Sequence, residues 1–478
     1  MSNKEYPYAQ RFGVNRHLPE HGRPRTEILA ELHEMAREED GFWQTGRCSG
    51  TMYCGDMEHY AFMTEAFGLY SHVNVLQRDI CPSATRFEGE IIAMTLDMLH
   101  GDAARGSTGP LNRAGETAAE GTPCGTLTSG GTESILSALL AYREWAHDER
   151  GIDRPQMILP ETAHAAFEKG AHLFGLEVVP APIDPVTTQV DLDFVRRAIG
   201  PRTAFLVGSA CNYGYGTVDP IAGLSELALA HGIGLHVDGC LGGFILPWGE
   251  ALGYDIPTFD FRLPGVTSIS ADTHKYGYGP KGSSVLCFRS RALREKLYFL
   301  RQHWSGGKYF SPGLAGSRSG GILAATWASM VSLGREGYLR YARAIFATAD
   351  AMKEAVRSHP ELRILGQPSF CFSFLSDIFD IYHLNDALRT RGWRLNGQQH
   401  PNAVHMCVTR PQTKAGVAEA FREDLAHAVA YAKAPTREKP FTGAIYGGLP
   451  RDQPEIEAMV RQVMVGLLDA HQDLPAEE

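Results

Sequence analysis

The chain has 478 residues, 44% of them hydrophobic, which is too much for one ordinary core and enough for a large domain with a smaller companion. A formal net charge of −10 speaks against a polyanion-binding surface, although Arg11, Arg16, Arg23 and Arg25 make the N-terminal arm locally basic, so nucleic acid is not an expected partner. Nine cysteines without a C-x-x-C pair read as reduced thiols of a cytoplasmic protein, and the chain shows neither an export signal nor a run of about 18 apolar residues that would cross a membrane.

Residues 1–100 read as an extended, partly helical arm carrying amphipathic stretches at 27–39 and 87–101. Residues 101–125, GDAARGSTGPLNRAGETAAEGTPCG, are poor in large apolar side chains and read as a mobile surface loop. From 126 onward strand-like and helix-like segments alternate: TLTSGG, ESILSALLAYREWA, QMILP, HAAFEKGAHLFG, EVVPAP, TAFLVGSA, IAGLSELALAHG, IGLHVDG, TSISAD and SSVLCF. That alternation predicts a mostly parallel sheet flanked by helices. A long helical stretch at 321–358 then leads to ELRILG, FCFSFLS and AVHMCVT among helices, the pattern of a smaller α+β domain. The expected division is an arm over 1–100, a large α/β domain over 101–345 and a small domain over 346–478.

Ligands of open α/β sheets collect at the carboxyl ends of strands, so the polar residues there carry the functional reading. TSGGTES, 128–134, offers glycines and a helix N-terminus to a phosphate, or simply a glycine turn and a cap. His164 follows a strand and is either a cap or a ring-stacking partner. In HVDGC an apolar strand delivers Asp238 to its end, where a carboxylate holds a protonated ring nitrogen or caps the next element. In SISADTHKYGYGPKGSS, residues 268–284, Lys275 follows His274 after a strand; a desolvated lysine there favours the neutral amine that forms Schiff bases. Phosphate loop, stacking histidine, carboxylate and lysine, in that order along one α/β region, fit pyridoxal 5'-phosphate.

These stretches resemble the sphingosine-1-phosphate lyases, within the fold-type I, group II decarboxylase-like pyridoxal enzymes, over most of residues 40–450. The likeness lies in TSGGTESILSALLAYR (128–143), HVDGCLGGF (236–244), SISADTHKYGYGPKGSSV (268–285) and YFSPGLAGSRSGGILAATWASM (309–330). THKYG and GGTES mark the cofactor class; GYGPKGSS and SPGLAGSRSGG are more particular to the lyases. The resemblance implies that Lys275 carries the cofactor aldehyde, Asp238 pairs with the pyridine nitrogen, His164 stacks on the ring, and Gly131 and Thr132, with His274 beside them, meet the cofactor phosphate. It further implies that Tyr53, Gln77, Lys281 and Ser317 serve the substrate phosphate, some of them across a homodimer interface, and that Tyr213 and Tyr446 line the catalytic centre. The implied reaction is a retro-aldol cleavage of a phosphorylated long-chain base between C2 and C3. Tyr213, Tyr446, Lys275 or a phosphate oxygen is the candidate acceptor of the C3 hydroxyl proton.

Three departures from the family pattern stand out. Tyr53-Cys54-Gly55-Asp56 and Leu76-Gln77-Arg78-Asp79 replace YHGD and LHPD, which removes two histidines and leaves Arg78 as a possible compensating base. Gly239 stands where alanine is usual, with the expected loss of a methyl contact near the ring, and the loop 101–125 is long. The alternative readings are an amino-acid decarboxylase of the same fold, which would not need the phosphate-directed set, and a catalytically idle cofactor carrier.

Overall fold

A computed structural model describes residues 6–106, 109–111, 121–448 and 453–474. Seven strands form the main sheet: β1 (Cys124–Thr128), β2 (Gln156–Pro160), β3 (Glu177–Ala181), β4 (Thr203–Ser209), β5 (Gly234–Asp238), β6 (Ser268–Ala271) and β7 (Ser284–Phe288). Their order is β1-β7-β6-β5-β4-β2-β3, and β7 runs against both of its neighbours while the other six point one way. Strands β4, β5 and β7 are buried along their whole length, which is why they read as apolar runs rather than alternations. The sheet divides two cores. Ile158, Leu206, Val285 and Cys287 pack on one side, and Met157, Leu159, Phe205, Val207, Leu286 and Phe288 on the other, as the strand period of two requires. This is the α/β architecture expected of a fold-type I enzyme.

A hairpin of β8 (Phe299–Trp304) and β9 (Gly307–Ser311) follows, and the helix Gly320–Arg357, capped by Ser319 and kinked at Gly334, leads away from it. A second sheet of β10 (Arg363–Ile364), β11 (Cys371–Leu375), β12 (Asn396–Gln398) and β13 (Ala403–Cys407) is antiparallel throughout, in the order β10-β11-β13-β12.

The structure corrects the sequence reading in three places. The N-terminal hundred residues hold three substantial helices, Arg25–Gln44, Met57–Tyr70 and Pro82–Met98, of which the first contains the amphipathic stretch read at 27–39 and the third most of that read at 87–101, while the second was not anticipated. The second escapes a periodicity search because its apolar residues surround it; its start is fixed by Asp56, whose carboxylate accepts the Glu58 and His59 N–H groups at 3.0 and 3.2 Å. The segment 101–125 is not wholly a loop: Gly101–Ala104 is a 3₁₀ turn with Ala104 fully buried, and Cys124 already belongs to β1. Positions 107–108 and 112–120, where mobility is expected, lie outside the described residues. The basic arm is also less basic than its composition, since Arg11 pairs with Glu34 and Glu38, and Arg23 with Glu31.

Candidate active site

Because β1 to β6 share one direction, their carboxyl ends share one edge, and every segment singled out for cofactor chemistry leaves from it. Gly131 and Thr132 follow β1, His164 follows β2, Tyr213 follows β4, Asp238 ends β5, and His274 and Lys275 follow β6. Asp238 is nearly buried, and its Oδ1 accepts the Cys240 N–H at 3.0 Å and the Ser270 hydroxyl at 3.2 Å. Those two donors fix the carboxylate and leave Oδ2 for a ring N–H. His236, directly beneath, is fully buried against the Ser268 hydroxyl at 2.8 Å, and burial pushes its pKa down to about 4, so it stays neutral.

The phosphate loop is built by close approach. Gly130, at φ 151°, occupies a backbone region that only glycine adopts readily and opens the helix Gly131–Arg150. A Cβ on Gly131 would lie 2.8 and 2.9 Å from the Asp272 carboxylate oxygens and 2.9 Å from Cys240 Sγ, and a Cβ on Gly130 would lie 3.6 Å from the His274 ring. Loop, strand end and lysine turn therefore meet around one hollow. His274 Nδ1 donates to the Ser283 carbonyl at 2.7 Å, and burial, opposed by Asp272, lowers its pKa. His164 stands at the same edge with its side chain exposed, Nδ1 accepting the Ala166 N–H at 3.1 Å.

Lys275 departs from expectation. Its Nζ lies 2.9 Å from Asp272 Oδ2, and although burial pulls its pKa down, the Asp272 charge outweighs that and holds the lysine above its ordinary range. The desolvated neutral amine read from the sequence is thus an ammonium ion in this state, because an aspartate three residues earlier on the same turn neutralises it. Asp272, 1% exposed at its side chain, is the functional candidate that sequence reasoning missed. Its second oxygen, Oδ1, is buried with no hydrogen-bond partner.

Lys281 Nζ donates to the His274 carbonyl at 3.3 Å and stands 4.8 Å from the centroid of the Tyr53 ring. Burial and the neighbouring Lys275 charge, against Asp272, hold its pKa below the usual lysine range. Lys275, Lys281, Tyr53, Met52, Met63 and Phe67 line one cavity of about 400 Å³. Gln77 and Ser317 do not line it. Their chain neighbours Leu76, Arg78, Gly316 and Arg318 line a separate surface hollow with the exposed hairpin residues Leu300 and Phe310, and Asn74 donates to the Ser317 hydroxyl at 3.0 Å. Arg78 and Arg318 both pair with the buried Glu88, whose pKa they hold down against the effect of burial. The replaced histidine position, Cys54, is buried, its sulfur 3.2 Å from Arg410 Nη1. At Gly239 a Cβ would point 2.8 Å from the Ser270 carbonyl, into the sheet, so no methyl contact to a ring is lost there; Cys240 is the side chain facing the hollow.

Tyr213 accepts the Asn396 side-chain N–H at 2.8 Å and its ring lies against His405, centroids 4.5 Å apart. Asn396 and His405, on β12 and β13 of the second sheet, gave no motif in the sequence. Tyr446 ends the helix Phe441–Tyr446, and its side chain lies outside the described residues. Among the described residues no cluster of His, Cys, Asp and Glu fits a metal ion, and no helix is long and apolar enough to cross a membrane.

Residues 7–373 match the family model described as the pyridoxal-dependent decarboxylase conserved domain. The sphingosine-1-phosphate lyase of Arabidopsis thaliana is 40% identical over 451 residues, 93% of this chain and 79% of the relative. The chain belongs to the sphingosine-1-phosphate lyase family of pyridoxal-dependent enzymes. The solved sphingosine-1-phosphate lyase of Burkholderia pseudomallei K96243 superposes on it with a TM-score of 0.90 at 59% identity, covering 98% of this chain and all of that one. A glutamate decarboxylase of Lactobacillus brevis, at 19% identity and TM-score 0.73, shares the fold over 90% of this chain and 98% of that one. Pyridoxal phosphate is the cofactor of this lyase family member, and the residues fit it: the hollow at Gly131 is one that a single Cβ would fill, Asp238 keeps an oxygen for a ring nitrogen, and the Lys275 amine lies against Asp272 at that hollow.

Proposed function

We propose that the chain cleaves phosphorylated long-chain bases, sphingosine 1-phosphate or dihydrosphingosine 1-phosphate, between C2 and C3, giving a long-chain aldehyde and phosphoethanolamine. The observation that carries the reading is the pair of lysines in one cavity, one at the cofactor hollow and the other six residues on over the Tyr53 ring. An amino-acid decarboxylase would have no use for the second.

Pyridoxal phosphate, when bound, supplies the sink for the electron pair left on C2 as the C2–C3 bond breaks. The chain does the rest. Asp238, held by Cys240 and Ser270, keeps the ring nitrogen protonated. Gly131 and Thr132 hold the cofactor phosphate on backbone N–H groups at the start of a helix. His164 covers the ring, and Lys275 carries the aldehyde. Lys281 grips the substrate phosphate as a point charge that a rotating phosphate can satisfy without the fixed fork of arginine, with the Tyr53 ring beneath it. Tyr213, whose oxygen accepts the Asn396 N–H, is assigned to orient the C3 hydroxyl. Tyr446 is assigned to the catalytic centre with it.

Gln77 and Ser317 serve the phosphate of a second copy of the chain. In a homodimer their surface, bordered by Phe299, Leu300, Trp304 and Phe310, each more than half exposed, covers the neighbour's cavity and buries that apolar patch. Nine free cysteines, eight of them buried, favour a reducing, cytoplasmic compartment.

The test compares phosphorylated and unphosphorylated long-chain bases as substrates of wild type and Lys281→Ala. A preference for the phosphorylated base that collapses in the variant supports the reading. Release of carbon dioxide from an amino acid at a higher kcat/KM would replace it with the decarboxylase reading.

A further inference from the structure

Asp272 has no part in the roles assigned so far, yet it occupies the middle of the site. Its side chain is 1% exposed, one oxygen is 2.9 Å from Lys275 Nζ and 3.6 Å from His274 Nε2, and the other oxygen, buried and without a partner, faces the Gly131 loop. A buried carboxylate oxygen without a hydrogen bond is costly and rare, and here it lies where an anion is expected to sit. An anion brought against a carboxylate is repelled unless a proton comes between them. The only proton within hydrogen-bonding reach of Asp272 among the described residues is on the Lys275 ammonium.

We propose that Asp272 is the positioning residue that couples phosphate binding to activation of Lys275. Before the cofactor enters, its carboxylate holds the lysine as an ammonium ion aimed into the hollow. When a phosphate settles on the Gly131 loop, one proton passes from Lys275 Nζ to Asp272 Oδ2; the carboxyl group, now neutral, no longer repels the anion beside it, and the amine is left neutral. The amine nitrogen adds to the carbonyl carbon, and its two hydrogens leave with the carbonyl oxygen as water. No oxidant or reductant is involved, and the transferred proton stays on Asp272. Cys240 Sγ and His274, the other titratable groups at the loop, contribute no charge that would substitute for the carboxylate, since burial keeps the thiol protonated and the imidazole neutral. The inference rests on the assignment of Lys275 as the carbonyl-holding residue.

The experiment uses the full chain freed of cofactor, in phosphate-free buffer, with pyridoxal, which lacks the phosphate, as the probe. Imine absorbance is followed with and without inorganic phosphate, and the product is reduced with borohydride and mapped by mass spectrometry. In wild type, inorganic phosphate accelerates imine formation about tenfold; in Asp272→Asn the reaction with pyridoxal alone is faster than wild type and phosphate no longer changes it, while Asp272→Glu restores part of the phosphate response. A wild-type rate indifferent to phosphate, or an Asp272→Asn chain that keeps the full acceleration, overturns the proposal, and the wild-type arm decides it even if the variant does not fold. Label found on a lysine other than Lys275 would instead overturn the site assignment on which the inference rests.

Discussion

At the scale of single residues, two lysines six positions apart carry two different tasks. Lys275→Ala removes the amine that carries the aldehyde, so both the yellow absorbance of the loaded protein and turnover are lost; retained turnover would end the assignment. Lys281→Ala leaves that absorbance intact and lowers kcat/KM for a phosphorylated base by about 10- to 100-fold, the worth of one charge-assisted hydrogen bond of about 1.5–3 kcal/mol. Steady-state kinetics beside an absorbance spectrum separates the two. Asp238, His274 and Lys275 were legible because each follows an apolar strand and their residue types match what a pyridine ring and an aldehyde require. Asp272 was not, because nothing in D-T-H-K says that the turn folds the aspartate back onto the lysine, or that its charge reverses the pull of burial. Gly239 was misread for a related reason. The direction of an absent side chain is set by the sheet, and here it points at the Ser270 carbonyl.

At the scale of elements, the strand β1 and the helix after it form a cradle whose dimensions depend on a missing methyl group. Gly131→Ala would place a Cβ 2.8 Å from the buried carboxylate of Asp272, and the helix start must shift to relieve it. We expect cofactor affinity to fall about tenfold or more with little change in thermal stability, as read by absorbance titration; unchanged affinity would mean the phosphate is held elsewhere. The parallel strands were easy to find because burial on both faces writes them as apolar runs. The hairpin of β8 and β9 was not, since its residues are largely exposed and FLRQHW follows neither a strand nor a helix pattern that a core would impose. Its exposed Phe299, Leu300 and Phe310 make sense as a surface awaiting another chain, and Phe310→Asp should shift the protein toward monomer in light scattering while the fold persists. A Phe310→Asp protein that stays fully dimeric would remove the hairpin from the interface.

At the scale of the whole molecule, buried ionisable groups set how stability follows pH. His236 and His405 are fully buried with pKa values pushed down to about 4, so the unfolded chain takes up protons that the native chain refuses. Each contributes on the order of 3 kcal/mol above the unfolded value near 6.5, lost as pH falls toward about 4. Asp219 works the other way. Burial raises its pKa to about 7, so its contribution is present at low pH and fades as pH rises through that value. Tm measured from pH 7 to 4 should therefore fall less steeply in His236→Gln than in wild type and more steeply in Asp219→Asn; parallel curves would refute the burial argument.

The division of the expected phosphate residues between two surfaces of one chain also belongs to this scale, and it explains why sequence reasoning grouped Lys281 with Ser317 although one fold does not bring them together. Mixing inactive Lys275→Ala with an inactive Ser317→Ala variant should restore up to about a quarter of wild-type activity if sites are shared between copies, and none if each chain is self-sufficient.

In the proposed reaction the cavity joining Lys275 and Lys281 breaks a carbon–carbon bond of a phosphorylated lipid base. Mass spectrometry of the products formed from such a base by the cofactor-loaded protein, with Lys275→Ala alongside, tests it most directly. Long-chain aldehyde and phosphoethanolamine in equal amounts, absent with the variant, is the predicted result. The yellow absorbance without either product would leave the cofactor site standing and contradict the lyase assignment.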